Sequence, residues 1–223
     1  MSYKTCVTLA EPNPVKLNKL LQHYLKRSEF VEIRFDFMEP KKIPVALSLV
    51  KKHLARCICT LRSRSEGGKF SSNEKNRISI LKLIAEYNPY LLDVEYDTIR
   101  KNKDLYQYLK KTKTNLLISW HDFAKTPSLS FLKSLRKKMS KFSKNIKIVT
   151  TARSIKDTLG ILSLYKFQSN TNLIAFAMGD YGSMSRILCT QLGSPYTYVS
   201  PGNPIAPGQF SLDEIKSIFE LKR

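Results

Sequence analysis

The sequence predicts an α/β protein: a single (β/α)8 TIM barrel with eight parallel strands. Short apolar or alternating runs with strand character alternate eight times with helical patterns along the 223 residues, and no linker or change of composition interrupts them. A doubly wound sheet is the competing architecture. It calls for a glycine-rich phosphate turn after the first strand, whereas that turn reads LAEPNP and has no glycine. We therefore expect residues 1–223 to form one barrel domain.

The first half of the chain supplies four strand–helix pairs. The strands are predicted from apolar or alternating runs, and the helices from apolar residues at helical spacing behind a cap or a proline. The predicted strands cover residues 5–10, 30–38, 56–62 and 90–96. The predicted helices cover residues 14–24, 44–55, 73–87 and a polar stretch that ends near residue 111. Pro14 opens the first helix, and Ser71 or Ser72 is expected to cap the third.

The second half repeats the pattern. The predicted strands cover residues 115–121, 145–152, 172–178 and 196–200. Thr126 and Pro127 read as the cap and first residue of a helix that runs to about residue 142, and Ser154 reads as the cap of a helix that runs to residue 167. The last two helices are predicted over residues 183–192 and 212–221.

Lys147 is the unusual residue of the predicted strands, because it lies among apolar neighbours in the run NIKIVTTA. Side chains alternate along a strand, so Lys147 shares one face with Val149 and Thr151. If both faces are covered, the ammonium must be paired, reach water or become neutral. A lysine whose pKa is lowered by burial is an amine nucleophile that forms Schiff bases with carbonyl substrates. The plain alternative is a lysine whose charged end reaches the surface.

Polar residues collect where the predicted strands end. In a barrel, the carboxyl ends of the strands and the loops after them form the functional face. Each of these residues could instead have a purely structural role. His121 could be a hydrogen-bonded residue at a strand end, Glu32 and Arg34 could form an ion pair, and Arg186 could be a cation on a helix surface. The residues in question are Glu32, Arg34, Arg62, Glu66, His121, Arg186 and Gln209.

The formal charge of +20 raises the possibility of a nucleic-acid or anionic-membrane partner. The lysines are spread along the whole chain, which favours a solvated surface over a dedicated binding groove. The four cysteines, Cys6, Cys57, Cys59 and Cys189, lack zinc-site spacing and are expected to be free thiols in a reducing compartment. No signal peptide and no apolar run of bilayer length is apparent, so a cytoplasmic protein is expected.

Several dispersed motifs occur along the chain: VEIRFDF (31–37), TLRSRSEGG (60–68), LLDVEY (91–96), ISWHDFAKTP (118–127), IKIVTTARS (146–154), MGDYGSMSR (178–186) and APGQ (206–209). With these motifs the chain closely resembles the type I 3-dehydroquinate dehydratase family, the Schiff-base enzymes of the shikimate pathway. The resemblance covers nearly the whole chain, and several motifs in family order are more specific than any one alone. One departure stands out: Ile205 occupies the position just before APGQ where relatives often carry serine.

The resemblance implies syn dehydration of 3-dehydroquinate to 3-dehydroshikimate, on the route to chorismate and the aromatic amino acids. It implies that Lys147 forms the imine with the substrate ketone, that His121 transfers the protons, and that Glu66 orients His121. Arg186 matches the arginine that binds the substrate carboxylate. Groups that hold the ring hydroxyls or close over the substrate are implied at Glu32, Arg34, Arg62 and Gln209. The resemblance further implies a homodimer, with no metal and no organic cofactor.

Two other functions stay in competition. A Schiff-base aldolase on a similar barrel would share Lys147 but would need neither the pairing of His121 with Glu66 nor the clamp at Arg186. A nucleic-acid-binding protein would use the positive charge, and its affinity would fall steeply with salt. The absence of a cluster that combines basic and aromatic residues on any one element weakens the second of these.

Overall fold

The computed structural model describes residues 3–167 and 170–220. Among these residues, hydrogen bonding orders eight strands as β7-β6-β5-β4-β3-β2-β1-β8, so the first strand pairs with the last. The strands are β1 (Thr5–Leu9), β2 (Phe30–Arg34), β3 (Cys57–Thr60), β4 (Leu91–Glu95), β5 (Leu116–His121), β6 (Asn145–Thr151), β7 (Asn172–Met178) and β8 (Thr197–Val199). Sequential order with parallel pairing is the topology of a (β/α)8 barrel, and the predicted fold class is confirmed.

Helices follow the strands as the alternation predicted. They are α1 (Pro14–Tyr24), α2 (Ile43–Val50), α3 (Glu74–Glu86), α4 (Tyr96–Lys101), α5 (Lys103–Lys111), α6 (Leu129–Met139), α7 (Ile155–Leu162), α8 (Ser185–Gln191) and α9 (Leu212–Glu220). The described residues divide into two compact units. The central unit comprises residues 9–119, and the terminal unit comprises residues 3–8 with 120–167 and 170–220.

The second strand is shorter than predicted. It ends at Arg34, and a 3-10 turn over Phe35–Phe37 takes the place of its second half. The Arg34 guanidinium donates from Nε and Nη2 to the two carboxylate oxygens of Asp36, each at 2.8 Å, and the Met38 amide closes the turn on the Phe35 carbonyl at 3.0 Å. The alternation of apolar residues predicts an extended strand here. It carries no information about the ion pair that accompanies the turn.

Two predicted helix starts were wrong. Helix α3 is capped by Asn73, whose side-chain oxygen accepts from the Asn76 amide at 2.9 Å, rather than by the serines before it. Helix α6 is capped by Ser128 and begins at Leu129, two residues later than expected. Thr126 instead donates its hydroxyl to the Thr151 carbonyl at 3.0 Å, which ties the loop after β5 to the end of β6. A serine or threonine side chain before a helix can form hydrogen bonds with several backbone groups. The tertiary structure determines which of these bonds is made.

Other predicted helices end early or are divided. The second helix passes into a 3-10 turn over Lys51–Arg56, and the polar helix after β4 is divided into α4 and α5 at Asn102. The seventh helix is capped by Ser154, as predicted, and ends in a 3-10 turn over Ser163–Lys166. The predicted end of the last helix, Leu221, lies outside the described residues.

The four cysteines are buried and free, as expected. Burial raises the pKa of the Cys57 and Cys189 thiols to about 12, so both are neutral near pH 7. Within residues 3–167 and 170–220, no helix has the length and apolar character needed to cross a lipid bilayer.

Candidate active site

Arg62 is the centre of a buried charge cluster in the central unit. It lies just after β3 and is 3% exposed. Its Nη2 donates to Asp93 Oδ2 at 2.6 Å, and its Nη1 donates to the Ser119 hydroxyl at 2.7 Å and lies 3.3 Å from Glu95 Oε1. Burial alone lowers the pKa of the Arg62 guanidinium, but the adjacent carboxylates outweigh it and hold the pKa well above its ordinary value. Arg62 is therefore a fixed cation, neutralised by the protein itself.

The partners of Arg62 come from neighbouring strands. Asp93 and Glu95 lie two residues apart on β4, so their side chains point to the same face, and Ser119 lies on β5. Ser119 also donates to Asp93 Oδ1 at 2.6 Å, which leaves that carboxylate bound on both oxygens. These three residues were not predicted from the sequence to belong to the site. The period-two carboxylates in LLDVE were the available signal, since two acids on one face of a buried strand require a cation.

Glu66 lies in the 3-10 turn Arg64–Glu66 that follows β3. It is 9% exposed, and its Oε2 is 4.0 Å from Arg62 Nη1, farther than the other two carboxylates of the cluster. Burial raises the pKa of the Glu66 carboxyl to about 8; Arg62 opposes the rise, and Glu95 and Asp93 add to it. The structure therefore brings Glu66 and Arg62 together, as the sequence predicted for one end of the barrel, with Glu66 mostly protonated at pH 7.

Glu32 and Arg34, the predicted pair on β2, have different partners in the structure. Glu32 accepts a hydrogen bond from the Thr60 hydroxyl at 2.8 Å and is 3% exposed. Arg34 forms its ion pair with Asp36, which also accepts from the Lys69 amide at 3.0 Å. Arg34 therefore forms a close ion pair with Asp36, and the charge of Glu32 also helps to raise the pKa of Arg34.

Lys147 lies in the middle of β6 in the terminal unit. It pairs with Ile174 of β7 and is 6% exposed. Its Nζ lies 4.1 Å from the centre of the Tyr198 ring of β8, which is a cation–π distance. Since β6 and β8 are separated in the order of the sheet, this contact requires the Lys147 side chain to point inward. The sequence carried no signal for Tyr198, because the contact depends on how the strands come together.

Arg186 is a buried cation of a different kind. It lies in the first turn of α8, is 2% exposed, and its guanidinium carbon lies 4.5 Å from the centre of the Phe176 ring. Its Nη2 donates to the Pro207 carbonyl at 3.1 Å, but among the residues that the structure describes its Nε has no hydrogen-bond partner and the side chain forms no ion pair. Burial lowers the pKa of Arg186 to about 10, so it is charged at neutral pH.

The loop that holds Arg186 is itself closely packed. Gly208 has a φ of +69°, and a Cβ added there would lie 2.8 Å from the Gly179 carbonyl oxygen, so only glycine fits. The side-chain oxygen of Gln209 accepts from the Ile205 amide at 3.0 Å, and its nitrogen lies 3.5 Å from the Thr8 hydroxyl. The bond from residue 205 uses the backbone, so the departure from serine at this position leaves it in place.

His121 is the last residue of β5 and is half-buried. Its ring lies 6.2 Å from the Phe123 ring, centre to centre, at an angle of 23°. The amide of the next residue, Asp122, donates to the Val149 carbonyl at 2.9 Å, which fixes the end of β5 beside β6. In the terminal unit, the predicted residues His121 and Lys147 therefore lie on strands that are neighbours in the sheet.

These features define a class of protein: a (β/α)8 barrel enzyme with a buried amine and a buried guanidinium over adjacent rings. The Phe176 ring next to Arg186 and the Tyr198 ring next to Lys147 are 6.4 Å apart, centre to centre. An amine in such a position suits a carbonyl group, and a guanidinium with unused donors suits a carboxylate.

Comparison with known proteins identifies the family. A family model described as type I 3-dehydroquinase matches residues 5–223. A 3-dehydroquinate dehydratase from Dehalococcoides mccartyi is 39% identical over 201 residues, 87% of this chain and 88% of that protein, and one from Methanocaldococcus jannaschii is 32% identical over 97% of each. A crystal structure of 3-dehydroquinate dehydratase from Geobacillus kaustophilus shares the fold, with a TM-score of 0.88 at 20% identity over 99% of this chain and 91% of that one. The chain belongs to the type I 3-dehydroquinase family.

Proposed function

We propose that this chain dehydrates 3-dehydroquinate to 3-dehydroshikimate through an imine on Lys147. The family match over residues 5–223 supports the dehydratase activity, which is that of a hydro-lyase. The observation that carries the mechanism is the arrangement of a buried amine and a buried guanidinium over neighbouring rings, Lys147 over Tyr198 and Arg186 over Phe176. A small ring compound with a ketone and a carboxylate offers one group to each.

Arg186 supplies the anchor for the substrate carboxylate. A buried guanidinium without an ionic partner is costly, and a planar carboxylate that accepts two parallel N–H bonds offsets that cost. Nε and the remaining nitrogen donors of Arg186 are the groups that such a ligand would use, since Nη2 already donates to Pro207. The charge of Arg186 thus orients the substrate before any bond is made.

Lys147 supplies the chemistry. Its amine adds to the C3 ketone of the substrate, and loss of one water gives the protonated imine. The imine draws electrons from the adjacent C2–H bond, so that a base can remove the C2 proton and leave an enamine. Expulsion of the C1 hydroxyl as a second water restores the imine. Hydrolysis then consumes one water, releases 3-dehydroshikimate and returns the free amine, for a net loss of one water.

His121 is the residue to which we assign the proton transfers. A histidine accepts and returns protons near neutral pH, so it suits both removal of the C2 proton and protonation of the departing hydroxyl. That Glu66 orients His121 is a prediction, and the pKa of about 8 for Glu66 adds a condition to it. Below that pH Glu66 carries a proton, so it would act there as a neutral hydrogen-bonding group rather than as a carboxylate.

The remaining predicted residues are assigned to substrate binding. Arg62, Glu32 and Arg34 are proposed to hold the ring hydroxyls, because buried and already oriented charged groups form the strongest hydrogen bonds to hydroxyl groups. Gln209 is proposed to help close the loop of residues 206–209 over the carboxylate. Its contacts with Ile205 and Thr8 support a role in shaping that loop.

The alternatives are now weaker. A Schiff-base aldolase would also use Lys147, but the family match favours the dehydratase. A nucleic-acid partner has no support beyond the formal charge of +20. The homodimer, the cytoplasmic location, the single catalytic domain over residues 1–223 and the lack of any cofactor stay predictions; sedimentation analysis would test the first.

The proposal is tested by trapping the imine. The purified chain is mixed with 3-dehydroquinate and borohydride, and the modified residue is located by mass spectrometry, while the ultraviolet band of the conjugated enone product reports turnover. We expect one adduct, on Lys147. His121→Ala is expected to trap the imine and to turn over very slowly, since general acid–base catalysis contributes roughly 100- to 10,000-fold.

Lys144→Ala is the matched control for Lys147→Ala. Lys144 is an exposed lysine three residues upstream, so Lys144→Ala makes the same replacement on the surface and leaves the buried amine in place. We expect Lys147→Ala to lose both the adduct and turnover, and Lys144→Ala to keep both. An adduct at another lysine, or enone formation by Lys147→Ala at the rate of the parent chain, would overturn the imine mechanism.

A further inference from the structure

Arg77 is a buried arginine with no assigned role in the proposed reaction. It lies in the first turn of α3 and is 2% exposed. All five of its N–H groups are donated: Nε and Nη2 to Glu74 at 2.8 and 2.7 Å, Nη2 also to the Thr98 hydroxyl, and Nη1 to Glu95 Oε2 at 2.8 Å and the Leu61 carbonyl at 3.2 Å. Its geometry is therefore completely determined by the protein.

Glu95 connects Arg77 to Arg62. One carboxylate oxygen, Oε2, accepts from Arg77, while the other, Oε1, accepts from the Ser63 amide at 2.8 Å and lies 3.3 Å from Arg62 Nη1. The carboxylate is 2% exposed on its side chain, so water does not screen either ion pair. Two guanidinium groups thus hold the same carboxylate from opposite oxygens.

This arrangement limits how strongly Glu95 attracts Arg62. With Arg77 in place, the charge of Glu95 is shared, and Arg62 directs its shortest bonds to Asp93 and Ser119 instead, at 2.6 and 2.7 Å. Without Arg77, Glu95 would be a buried anion whose principal remaining cation is Arg62. Because an uncompensated buried charge is costly, Arg62 would be drawn toward Glu95 and away from its present position.

We propose that Arg77 is a positioning residue that acts through Glu95 to hold the Arg62 guanidinium where it binds substrate. The inference rests on the proposed function, in which Arg62 contacts a ring hydroxyl. Arg77 itself would touch no substrate atom. Its loss should therefore weaken substrate binding through Arg62 and leave the imine chemistry of Lys147 largely as it is.

The test compares the steady-state kinetics of variants at Arg77, Glu95 and Arg136, all made in the full chain, with those of the parent chain. For Arg77→Met we expect KM for 3-dehydroquinate to rise roughly tenfold and kcat to change by less than about threefold. For Arg77→Lys, which restores the charge but not the fork of donors, we expect an intermediate KM. Borohydride trapping at saturating substrate should still modify Lys147 in both variants.

Arg136→Met is the matched control. Arg136 is also a buried arginine on a helix, but it donates to the carbonyls of Leu164 and Phe167 and to the Thr171 hydroxyl, all in the terminal unit. We expect this variant to lower the urea midpoint of unfolding while KM stays that of the parent chain. A general loss of stability is thereby separated from an effect on substrate binding.

A double variant tests whether Arg77 acts through Glu95. If it does, Arg77→Met in a Glu95→Gln chain should raise KM no further than Glu95→Gln alone, because the charge that Arg77 balances is already gone. Additive increases, or a KM for Arg77→Met equal to that of Arg136→Met, would overturn the inference. If Arg77→Met does not fold, Arg77→Lys with and without Glu95→Gln gives the same comparison. Absence of enone formation by the parent chain would instead refute the proposed function.

Discussion

Two buried arginines, one in each compact unit, differ in their ionic partners. Arg62 in the central unit has Asp93, Glu95 and Ser119 within 3.3 Å, with Glu66 at 4.0 Å. Arg186 in the terminal unit has a ring, one carbonyl oxygen and, among the described residues, no ionic partner. Their exposed fractions are nearly equal, 3% and 2%. The exposed fraction of a buried arginine therefore does not indicate its function.

The partners do distinguish them. A cation that the protein has already neutralised has little affinity left for an anion, but it is a rigid donor for a hydroxyl group. A cation that the protein leaves without a counter-charge retains its attraction for an anionic ligand, at the expense of stability in the empty site. We infer that Arg62 contributes orientation and Arg186 contributes charge recognition.

The largest expected effect is on stability, and only the replacement of Arg62 should lower it. Arg62→Met leaves several carboxylates without their cation and should lower the free energy of unfolding by about 3–5 kcal/mol. Arg186→Met removes a buried charge without an ionic partner and should leave that free energy unchanged or higher. Urea unfolding at pH 7 without substrate measures both. Equal losses at the two positions would erase the distinction between the arginines.

The next prediction concerns the proton on Glu66. The pKa of this carboxyl is raised from 4.5 to about 8 in the folded chain, so folding is favoured by proton binding below pH 4.5 and this contribution is lost as the pH rises to about 8. Glu66→Gln mimics the protonated group at every pH. We therefore expect the unfolding free energy of the parent chain, relative to Glu66→Gln, to fall between pH 5 and 8.5.

Urea titrations of both chains at several pH values give that difference directly, and the parent chain alone cannot, because other groups titrate as well. If the difference is constant, or rises with pH, Glu66 is ionised in the cluster. Arg62 would then face three full negative charges rather than two, and its contrast with Arg186 would be larger than we describe.

For substrate binding, we expect the replacement of Arg186 to have a large effect. Arg186→Met should raise KM for 3-dehydroquinate roughly 100-fold, since a desolvated charge-assisted bond is worth about 2–3 kcal/mol or more. Arg186→Lys keeps the charge without the bidentate fork and should recover only part of the loss. Steady-state kinetics at pH 7 measures both variants. An unchanged KM in Arg186→Met would mean that the carboxylate binds elsewhere.

The smallest predicted effect is at Gln209. Replacement by alanine removes the acceptor for the Ile205 amide and loosens the loop whose Pro207 carbonyl receives Arg186. One neutral hydrogen bond is worth about 1 kcal/mol, so KM should rise by only a few-fold. Ile205→Ser is the control, because the bond uses the backbone amide, and it should behave like the parent chain. A larger effect of Ile205→Ser would show that the side chain at 205 matters.

Local patterns in the chain were sufficient for the barrel and for the positions of its strands. Along a strand, residues two or four apart point to the same face of the sheet, so the pattern of apolar residues shows which face is buried. For this reason β7 was predicted residue for residue and helix α1 over its full length. The sequence left open whether Lys147 is buried or reaches the surface, and the structure shows that it is buried.

The partners of the buried charges required the folded chain. Arg62 and Asp93 are 31 residues apart and Arg62 and Ser119 are 57 apart, and no repeat or spacing in the sequence links them. The same holds for the ring of Tyr198 near Lys147, because β6 and β8 are separated in the order of the sheet. The periodicity of apolar residues indicates which face of a helix or strand is buried. The ionic partner of a buried charge depends instead on which faces contact each other, and this is determined only when distant strands pack together.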